Sequence, residues 1–170
     1  MSKIEALSLD KQRYTNGKLP AFQYYYRKAQ SSHIWLLRKC YAFLFYRECK
    51  KRHIEWSLKC VAGGGLYFGH PFGITINKES KIGSNVNIHK GVTIGQENRG
   101  KRKGTPVICD NVWIGVNSTI VGHVTIGNDV LIAPNSYVNC DIPDHSIVIG
   151  NPCIIRPCEN ATEHYINRAV

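Results

Sequence analysis

The chain has 170 residues, 43% hydrophobic residues and a net charge of +10. This size suits one compact domain, or a small domain with an extension. The seven cysteines are scattered without a Cys-x-x-Cys pair, which argues against a disulfide framework or zinc cluster and predicts a reducing, cytoplasmic compartment. The chain also lacks a common nucleic-acid-binding motif, a signal-peptide pattern and an apolar run of membrane-spanning length, so we expect none of these.

Residues 1–60 are predicted to form an N-terminal helical region. Residues 1–20 are polar, and we expect a short helix or an arm there. Aromatic and basic residues then alternate from Ala21 to Trp56, which predicts one or two amphipathic helices, with Ser31 and Ser32 as caps of the second. Their apolar face is expected to pack on the rest of the chain or on a neighbouring subunit. Peripheral contact with an anionic membrane is an alternative that stays open.

A six-residue repeat organises the chain from about residue 70 to residue 138. An aliphatic residue returns at every sixth position apart from one longer interval: Ile76, Ile82, Ile88, Ile94, Ile108, Ile114, Ile120, Ile126, Ile132 and Val138. A fixed short period is typical of stacked repeat architectures, and six fits neither an amphipathic helix nor an alternating strand. The pattern predicts a three-sided coil of about eighteen residues per turn, with the isoleucines stacked inside.

Three further segments complete the predicted organisation. The run Ala62–Gly65 is interpreted as a hinge between the helices and a coil domain that spans residues 61–158. The long interval in the repeat, residues 95–107, is polar and basic, so it should leave the coil wall as an extruded loop, where function often concentrates. Residues 159–170 form a short polar tail for which the sequence makes no prediction.

The repeat resembles that of the hexapeptide-repeat acyltransferases. Three segments narrow the resemblance to serine acetyltransferase and its relatives found with surface-polysaccharide biosynthesis: residues 69–76 (Gly-His-Pro-Phe-Gly-Ile-Thr-Ile), the loop 95–107, and residues 150–152 (Gly-Asn-Pro). The similarity covers about residues 55–156. It implies a mainly β fold, a left-handed parallel β-helix with an N-terminal α-helical extension.

The resemblance implies an acetyl-CoA-dependent O-acetyltransferase that needs no metal. His70 lies six residues before Ile76, with Gly73 in place, as the catalytic histidine does in serine acetyltransferases. A neutral imidazole there would take the proton of the attacking hydroxyl. His89 directly follows Ile88 on the outside of the coil and is a second catalytic candidate, as a substrate contact or alternate base, against a plain surface histidine. The set His70, His89 and His123 is too incomplete to predict a zinc site.

Two departures from the serine acetyltransferase pattern concern the acceptor. Gly69 stands where those enzymes carry Asp, and Gly104-Thr105-Pro106 stands where they carry Arg-His-Pro. Thr105 is the substrate-binding candidate at the end of the loop. The acceptor is expected to be a small hydroxyl compound, serine or a surface-polysaccharide sugar, and the departures favour the sugar.

Coenzyme A is expected to lie along the outside of the coils. Small residues suit the pantetheine arm, and Trp113 would flank it or pack on the next coil. The phosphates would meet either Arg156 or the loop cations Lys101, Arg102 and Lys103, and the spacing leaves both open. The cofactor-binding candidates are Trp113, Gly115, Asn117, Ala133 and Arg156. The family resemblance also implies a homotrimer, with a dimer of trimers as a larger form. Two other functions stay open: a sugar N-acetyltransferase and a non-catalytic β-helix scaffold.

Overall fold

The structure is a computed structural model that describes residues 3–170, with side chains from residue 5 onward. Three helices come first: α1 (Lys3–Gln12), α2 (Ala21–Ser31) and α3 (Trp35–Lys51). The predicted helical content of this region is therefore confirmed. The predicted serine cap is wrong, because Ser31 ends α2 and Ile34 precedes α3 without a side-chain hydrogen bond.

Fourteen short strands follow the helices. They are β1 (Val61–Ala62), β2 (Tyr67–Gly69), β3 (Thr75–Ile76), β4 (Lys81–Ile82), β5 (Asn87–His89), β6 (Thr93–Gly95), β7 (Val107–Ile108), β8 (Val112–Ile114), β9 (Thr119–Val121), β10 (Thr125–Ile126), β11 (Val130–Ile132), β12 (Tyr137–Val138), β13 (Ser146–Ile149) and β14 (Ile154–Pro157).

The strands build a three-sided parallel β-solenoid, as the repeat predicts. Sheet 1 has the order β1-β4-β7-β10, sheet 2 has β2-β5-β8-β11-β13-β14, and sheet 3 has β3-β6-β9-β12. All pairs within these sheets are parallel except β13 with β14. Each of the first four coils contributes one strand to each face, so consecutive strands from β1 to β12 meet at the edges of the prism, and β13 and β14 complete sheet 2.

The repeated aliphatic residues fill the inside of the solenoid. From Ile76 to Val138 each of the ten is no more than 3% exposed. Burying one such side chain contributes roughly 1.5–3 kcal/mol. The edges between sheets turn through residues in the left-handed conformation, most often asparagine, as at Asn85, Asn111 and Asn117. Asparagine adopts this conformation more readily than most residues, which explains its place in the repeat.

The first coil is longer than the second. Gly69 pairs with His89 and Thr75 pairs with Thr93, so the first coil takes six residue steps where the second takes four. The two extra residues fall directly after β2, at the edge between sheets 2 and 3. They break the strict repeat there and turn position 70 outward.

The predicted glycine hinge is wrong in its role. Val61 and Ala62 already form β1, which pairs with β4, so the glycines that follow lie within the first coil. Gly65 has φ +72° and makes the turn from β1 to β2. A tight first turn against the next coil needs residues without a side chain: a Cβ at Gly63 would lie 2.6 Å from the Gly83 carbonyl.

The helices are joined to the first coil through a buried ion pair. Asp10 and Arg27 lie 2.8 Å apart and are almost fully buried. Asp10 also accepts the backbone N–H of Leu66 at 2.9 Å, and Arg27 donates to the carbonyls of Ala62 and Gly63. The division into domains at residue 61 stays a prediction, since these contacts cross it.

Candidate active site

His70 is exposed at the edge between sheets 2 and 3. Its backbone is left-handed, with φ +51°, which the two extra residues of the first coil impose. A histidine in the strict repeat would face the core at this position. The irregular turn instead presents the imidazole to solvent, where a second reactant can reach it.

His89 lies beside His70, one coil further along sheet 2, and it is half-buried. Its ring lies 4.7 Å from the Trp113 ring, and Nε2 is buried without a hydrogen-bond partner in the described part of the chain. Burial, with a smaller contribution from His70, lowers the pKa of His89, which favours a neutral ring. The interpretation as a plain surface histidine is therefore wrong, because the ring is half-buried beside Trp113.

Gly69 makes room for this ring. A Cβ at Gly69 would lie 2.4 Å from Cε1 and Nδ1 of His89, far inside contact distance. Any side chain at position 69 would displace the His89 ring. The chain therefore has an imidazole from the second coil in the space that a side chain preceding His70 would occupy.

Three of the cofactor candidates follow the same edge as His70. Gly115 and Ala133 come directly after the sheet 2 strands β8 and β11, and Asn117 makes the next turn with φ +58°. The Asn117 backbone N–H donates to the Lys90 carbonyl at 3.0 Å, which stacks this edge on the previous coil. The structure thus brings Gly115, Asn117 and Ala133 into one line with His70.

The other candidates lie elsewhere. Trp113 stands on the outer face of sheet 2, between the rings of His89 and Tyr165. Arg156 is exposed on β14, at the opposite end of sheet 2 from β2. Neither lies in the line of small residues after β8 and β11.

The extruded loop leaves the solenoid at the edge between sheets 3 and 1. Its ends are joined by paired hydrogen bonds between Glu97 and Gly104, and the Arg102 carbonyl accepts the His123 backbone N–H at 2.9 Å. Thr105 lies near the end of this loop, at the same edge. His70 and Thr105 therefore occupy different edges of the prism and are not brought together within one chain.

The comparisons with known proteins agree with this architecture. The family model for the bacterial transferase hexapeptide (six repeats) matches residues 105–140. A serine acetyltransferase of Bacillus pumilus is 36% identical over 99 residues, which are 58% of this chain and 46% of that protein. The structure of Neisseria gonorrhoeae serine acetyltransferase in complex with serine matches with a TM-score of 0.71 and 24% identity, over 91% of this chain and 69% of that one. A serine acetyltransferase in complex with CoA matches with a TM-score of 0.72 and 23% identity, over 91% and 69%.

Over its repeat region the chain is similar to the serine acetyltransferases of the hexapeptide-repeat type. It spans about half the length of the curated relatives it matches. Within residues 3–170, this hexapeptide-repeat protein contains no helix long and apolar enough to cross a membrane. The same residues hold no group of three or more His, Cys, Asp or Glu side chains that suits a metal ion.

The C-terminal tail of the chain returns to sheet 2, a contact that the sequence pattern does not predict. Asn87 donates to the Tyr165 carbonyl, and Tyr165 packs against Trp113 at 5.1 Å. The tail is held at its start by Asp129, which accepts hydrogen bonds from Ala161 and Thr162. Residues 159–170 carry no periodic pattern, so no sequence signal indicates this contact.

The pKa of Asp129 is lowered, so the carboxylate stays ionised and accepts the hydrogen bonds that hold the tail. Burial alone would raise its pKa, but hydrogen bonds from Thr162, His145 and Ala161 outweigh burial and lower it. His145 lies 2.9 Å from Asp129, and this contact raises the pKa of His145. An ionised Asp129 therefore fixes the tail that borders His89 and Trp113.

Proposed function

We propose that this chain is an acetyl-CoA-dependent O-acetyltransferase, and that serine is its acceptor. The observation that carries the proposal is the exposed imidazole of His70, turned out by the longer first coil at the edge where Gly115, Asn117 and Ala133 follow. The relatives reported above are named for serine, and one structure contains CoA. They give no support to the polysaccharide sugar that the departures at Gly69 and Gly104-Thr105 favour.

The proposed reaction is a direct transfer with His70 as general base. Neutral imidazole accepts the proton of the serine hydroxyl as the oxygen attacks the thioester carbonyl. The tetrahedral intermediate collapses with loss of the CoA thiolate, which takes the proton back from the imidazolium. The products are O-acetylserine and CoA, and His70 returns to its neutral form.

His89 is proposed to support His70 rather than to replace it. Its ring is half-buried, is kept neutral by burial and fills the space above Gly69. A neutral ring in this place adds no second positive charge when His70 becomes protonated. It also restricts the space in which the His70 ring can move.

The proposed path of CoA follows the edge after β8 and β11. The pantetheine arm would pass along this edge, where Asn117 is exposed, Ala133 is half-buried and Gly115 lies buried beneath them, and Arg156 would meet the phosphates near the last coil. Trp113 does not suit this path, because His89 and Tyr165 border it on the face of sheet 2. The scattered cysteines support a reducing, cytoplasmic setting for the reaction.

The direct test measures thiol release from acetyl-CoA. We expect CoA release with serine, and none with N-acetylglucosamine or UDP-glucose, because the proposed site accepts serine. Product mass should identify an O-acetyl ester. CoA release with a sugar and none with serine would contradict the proposal that serine is the acceptor. No release with any acceptor, and no CoA binding by calorimetry, would favour the non-catalytic scaffold. Transfer to glucosamine nitrogen would favour the N-acetyltransferase.

We propose a cyclic trimer, because His70 and Thr105 lie at different edges of one chain. In a trimer, a neighbouring subunit can bring its extruded loop to each His70.

Co-expression of two inactive variants tests this proposal: His70→Ala and a deletion of residues 98–103. Random mixing should restore activity at about a quarter of the sites, since each site then draws its histidine and its loop from different chains. Each variant alone serves as the control. No recovery from a mixture shown to contain both chains would contradict a shared site.

The outward face of α3 suits contact with an anionic surface. Trp35, Leu36 and Phe43 are 62–67% exposed, and Lys39 and Lys50 are exposed around them. On the inner side of α3, Phe45 and Cys49 are buried, and the Phe45 ring packs against Tyr26 and Trp56. Aromatic and basic side chains together favour a lipid interface.

This protein should co-sediment with vesicles that contain phosphatidylglycerol and not with neutral phosphatidylcholine vesicles, because its basic side chains need anionic lipid for binding. Phe43→Glu should reduce the bound fraction several-fold, while Phe72→Glu, an exposed phenylalanine on the coil, should change it little. Equal binding to both vesicles, or binding to neither, would contradict the anionic-surface contact. A hexamer that Phe43→Glu splits into trimers would instead favour a dimer of trimers.

A further inference from the structure

A cavity of about 550 Å³ lies on the outer face of sheet 2. Its floor is formed by Tyr67, His89 and Trp113, which come from three successive coils. Its sides are the segment that follows α1, residues 13–16, and the tail residues 165–168. The volume falls in the range of small-molecule pockets, about 300–1,000 Å³, and is more than a free amino acid such as serine fills.

The charge of the lining is positive. Arg13 and Arg168 line the cavity, and its lining residues in the described part of the chain include no Asp or Glu. Arg13 is 3% exposed and donates to neutral acceptors: the carbonyls of Gly65 and Asn167 and the side-chain oxygen of Asn87. Asp10, the carboxylate that acts on Arg13, is itself bonded to Arg27. The cavity is therefore electrostatically suited to an anion.

Arg168 is the cation that a ligand can reach directly. Its side chain is exposed and donates to Thr15 Oγ1 at 2.9 Å, which joins the two sides of the cavity. Hydrogen bonds between Arg13 and Asn167, and between Asn87 and Tyr165, fix the tail on which Arg168 stands. A guanidinium in a fixed place suits a carboxylate or a phosphate.

The aromatic rings provide the apolar part of the lining. Trp113 and Tyr165 lie 5.1 Å apart, and Tyr67 packs on Tyr14 at 4.8 Å. Flat apolar groups bind well against such rings. A ligand that combines an anionic group with a flat ring would use both the arginines and the aromatic residues.

We propose that this cavity binds a small organic anion in which a carboxylate or phosphate is attached to a flat ring. The ligand places its anionic group toward Arg168 and Arg13, and its ring against Trp113 and Tyr165. His89 lines the cavity and lies beside His70, so the ligand is either part of an acceptor or an effector of the transfer site. Binding does not depend on the acetyltransferase proposal.

Two pairs of probes test the proposal by calorimetry without acetyl-CoA: AMP against adenosine, and benzoate against benzamide. We expect at least one anion to bind with Kd below about 1 mM and its neutral partner at least about tenfold more weakly. Arg168→Gln should raise the Kd of the anion about tenfold. Arg38→Gln, an exposed arginine on α3, is the matched control and should leave the Kd unchanged. The NMR resonances of the His89 ring should shift as the anion saturates the cavity.

Several results would overturn the proposal. They are a Kd above about 10 mM for both anions, equal binding of charged and neutral partners, equal effects of Arg168→Gln and Arg38→Gln, or unchanged His89 resonances at saturation. A separate kinetic experiment decides whether the ligand is an acceptor or an effector. Competition between the bound anion and the acceptor in the thiol-release assay indicates an acceptor site, whereas inhibition or activation without competition indicates an effector site.

Discussion

Replacing His70 with alanine should lower kcat for acetyl transfer to serine by about 10²–10⁴, because the attacking hydroxyl loses its proton acceptor. His70 is exposed at the edge of the solenoid, so its loss removes no core contact and the protein should stay folded. Thiol release measures the rate, and calorimetry with CoA should give an unchanged Kd. The combination of a lost rate and retained binding identifies a group that acts in the transition state.

Two controls separate the chemistry from the backbone of this residue. His70→Asn keeps a residue that tolerates the left-handed φ of +51°, so any strain from alanine is removed while the base is still absent. His33→Ala removes an exposed histidine between α2 and α3 and should leave kcat unchanged. If His70→Ala and His70→Asn both kept more than about a tenth of the activity, His70 would not be the base.

Replacing Gly69 with alanine should have the second largest effect, through His89. The new Cβ would stand 2.4 Å from two atoms of the His89 ring, which is held on its other side by Trp113. We expect a loss of about 1–3 kcal/mol in the free energy of unfolding, the usual cost of overpacking. We also expect a fall of up to about 10²-fold in kcat, because displacement by an ångström near the base has that effect. Urea unfolding and thiol release measure the two quantities.

A double variant decides what the His89 ring does. Gly69→Ala combined with His89→Ala removes the overlap and should restore most of the stability. If the rate also returns, the ring only fills space, and the proposed supporting role of His89 is wrong. If the rate stays low, the ring holds His70 in place. Gly95→Ala is a milder comparison, because its Cβ would lie 3.3 Å from the nearest atom, Val121 Cγ1, a tight contact that a small shift of this side chain relieves.

The repeat made the solenoid predictable from the sequence. Ile114 is fully buried, like the equivalent residues six and eighteen positions away that also face the inside of the solenoid. The six-residue period in the sequence therefore predicts its burial. The loop 95–107 was predictable for the complementary reason: a basic, glycine-containing segment cannot continue the stacked wall. His70 was found through its spacing to Ile76 and its resemblance to a family, and not through the repeat, which would have placed it inside.

The environment of His89 was not predictable in this way. Its burial depends on Gly69 in the previous coil, on Trp113 in the next coil and on Tyr165 at the far end of the chain. Residues separated by these distances share no local period, so only the pairing of the coils shows that they meet. The glycine hinge was misinterpreted for a related reason, since Gly63–Gly65 reads as a flexible linker until β1 is seen to pair with β4.

The sequence by itself determined the stacked three-sided coil, its aliphatic interior and the extruded loop, because each of these follows from a short period or its interruption. The histidine after β2 was identified through its spacing to Ile76 and the resemblance to a family. Only the tertiary structure decided which edge each group occupies. It placed Thr105 at a different edge from His70, returned the tail across sheet 2, and enclosed His89 beside a cationic cavity. These arrangements depend on side-chain volume and hydrogen bonds between distant segments, such as Asp129 with Thr162 and Arg13 with Asn167.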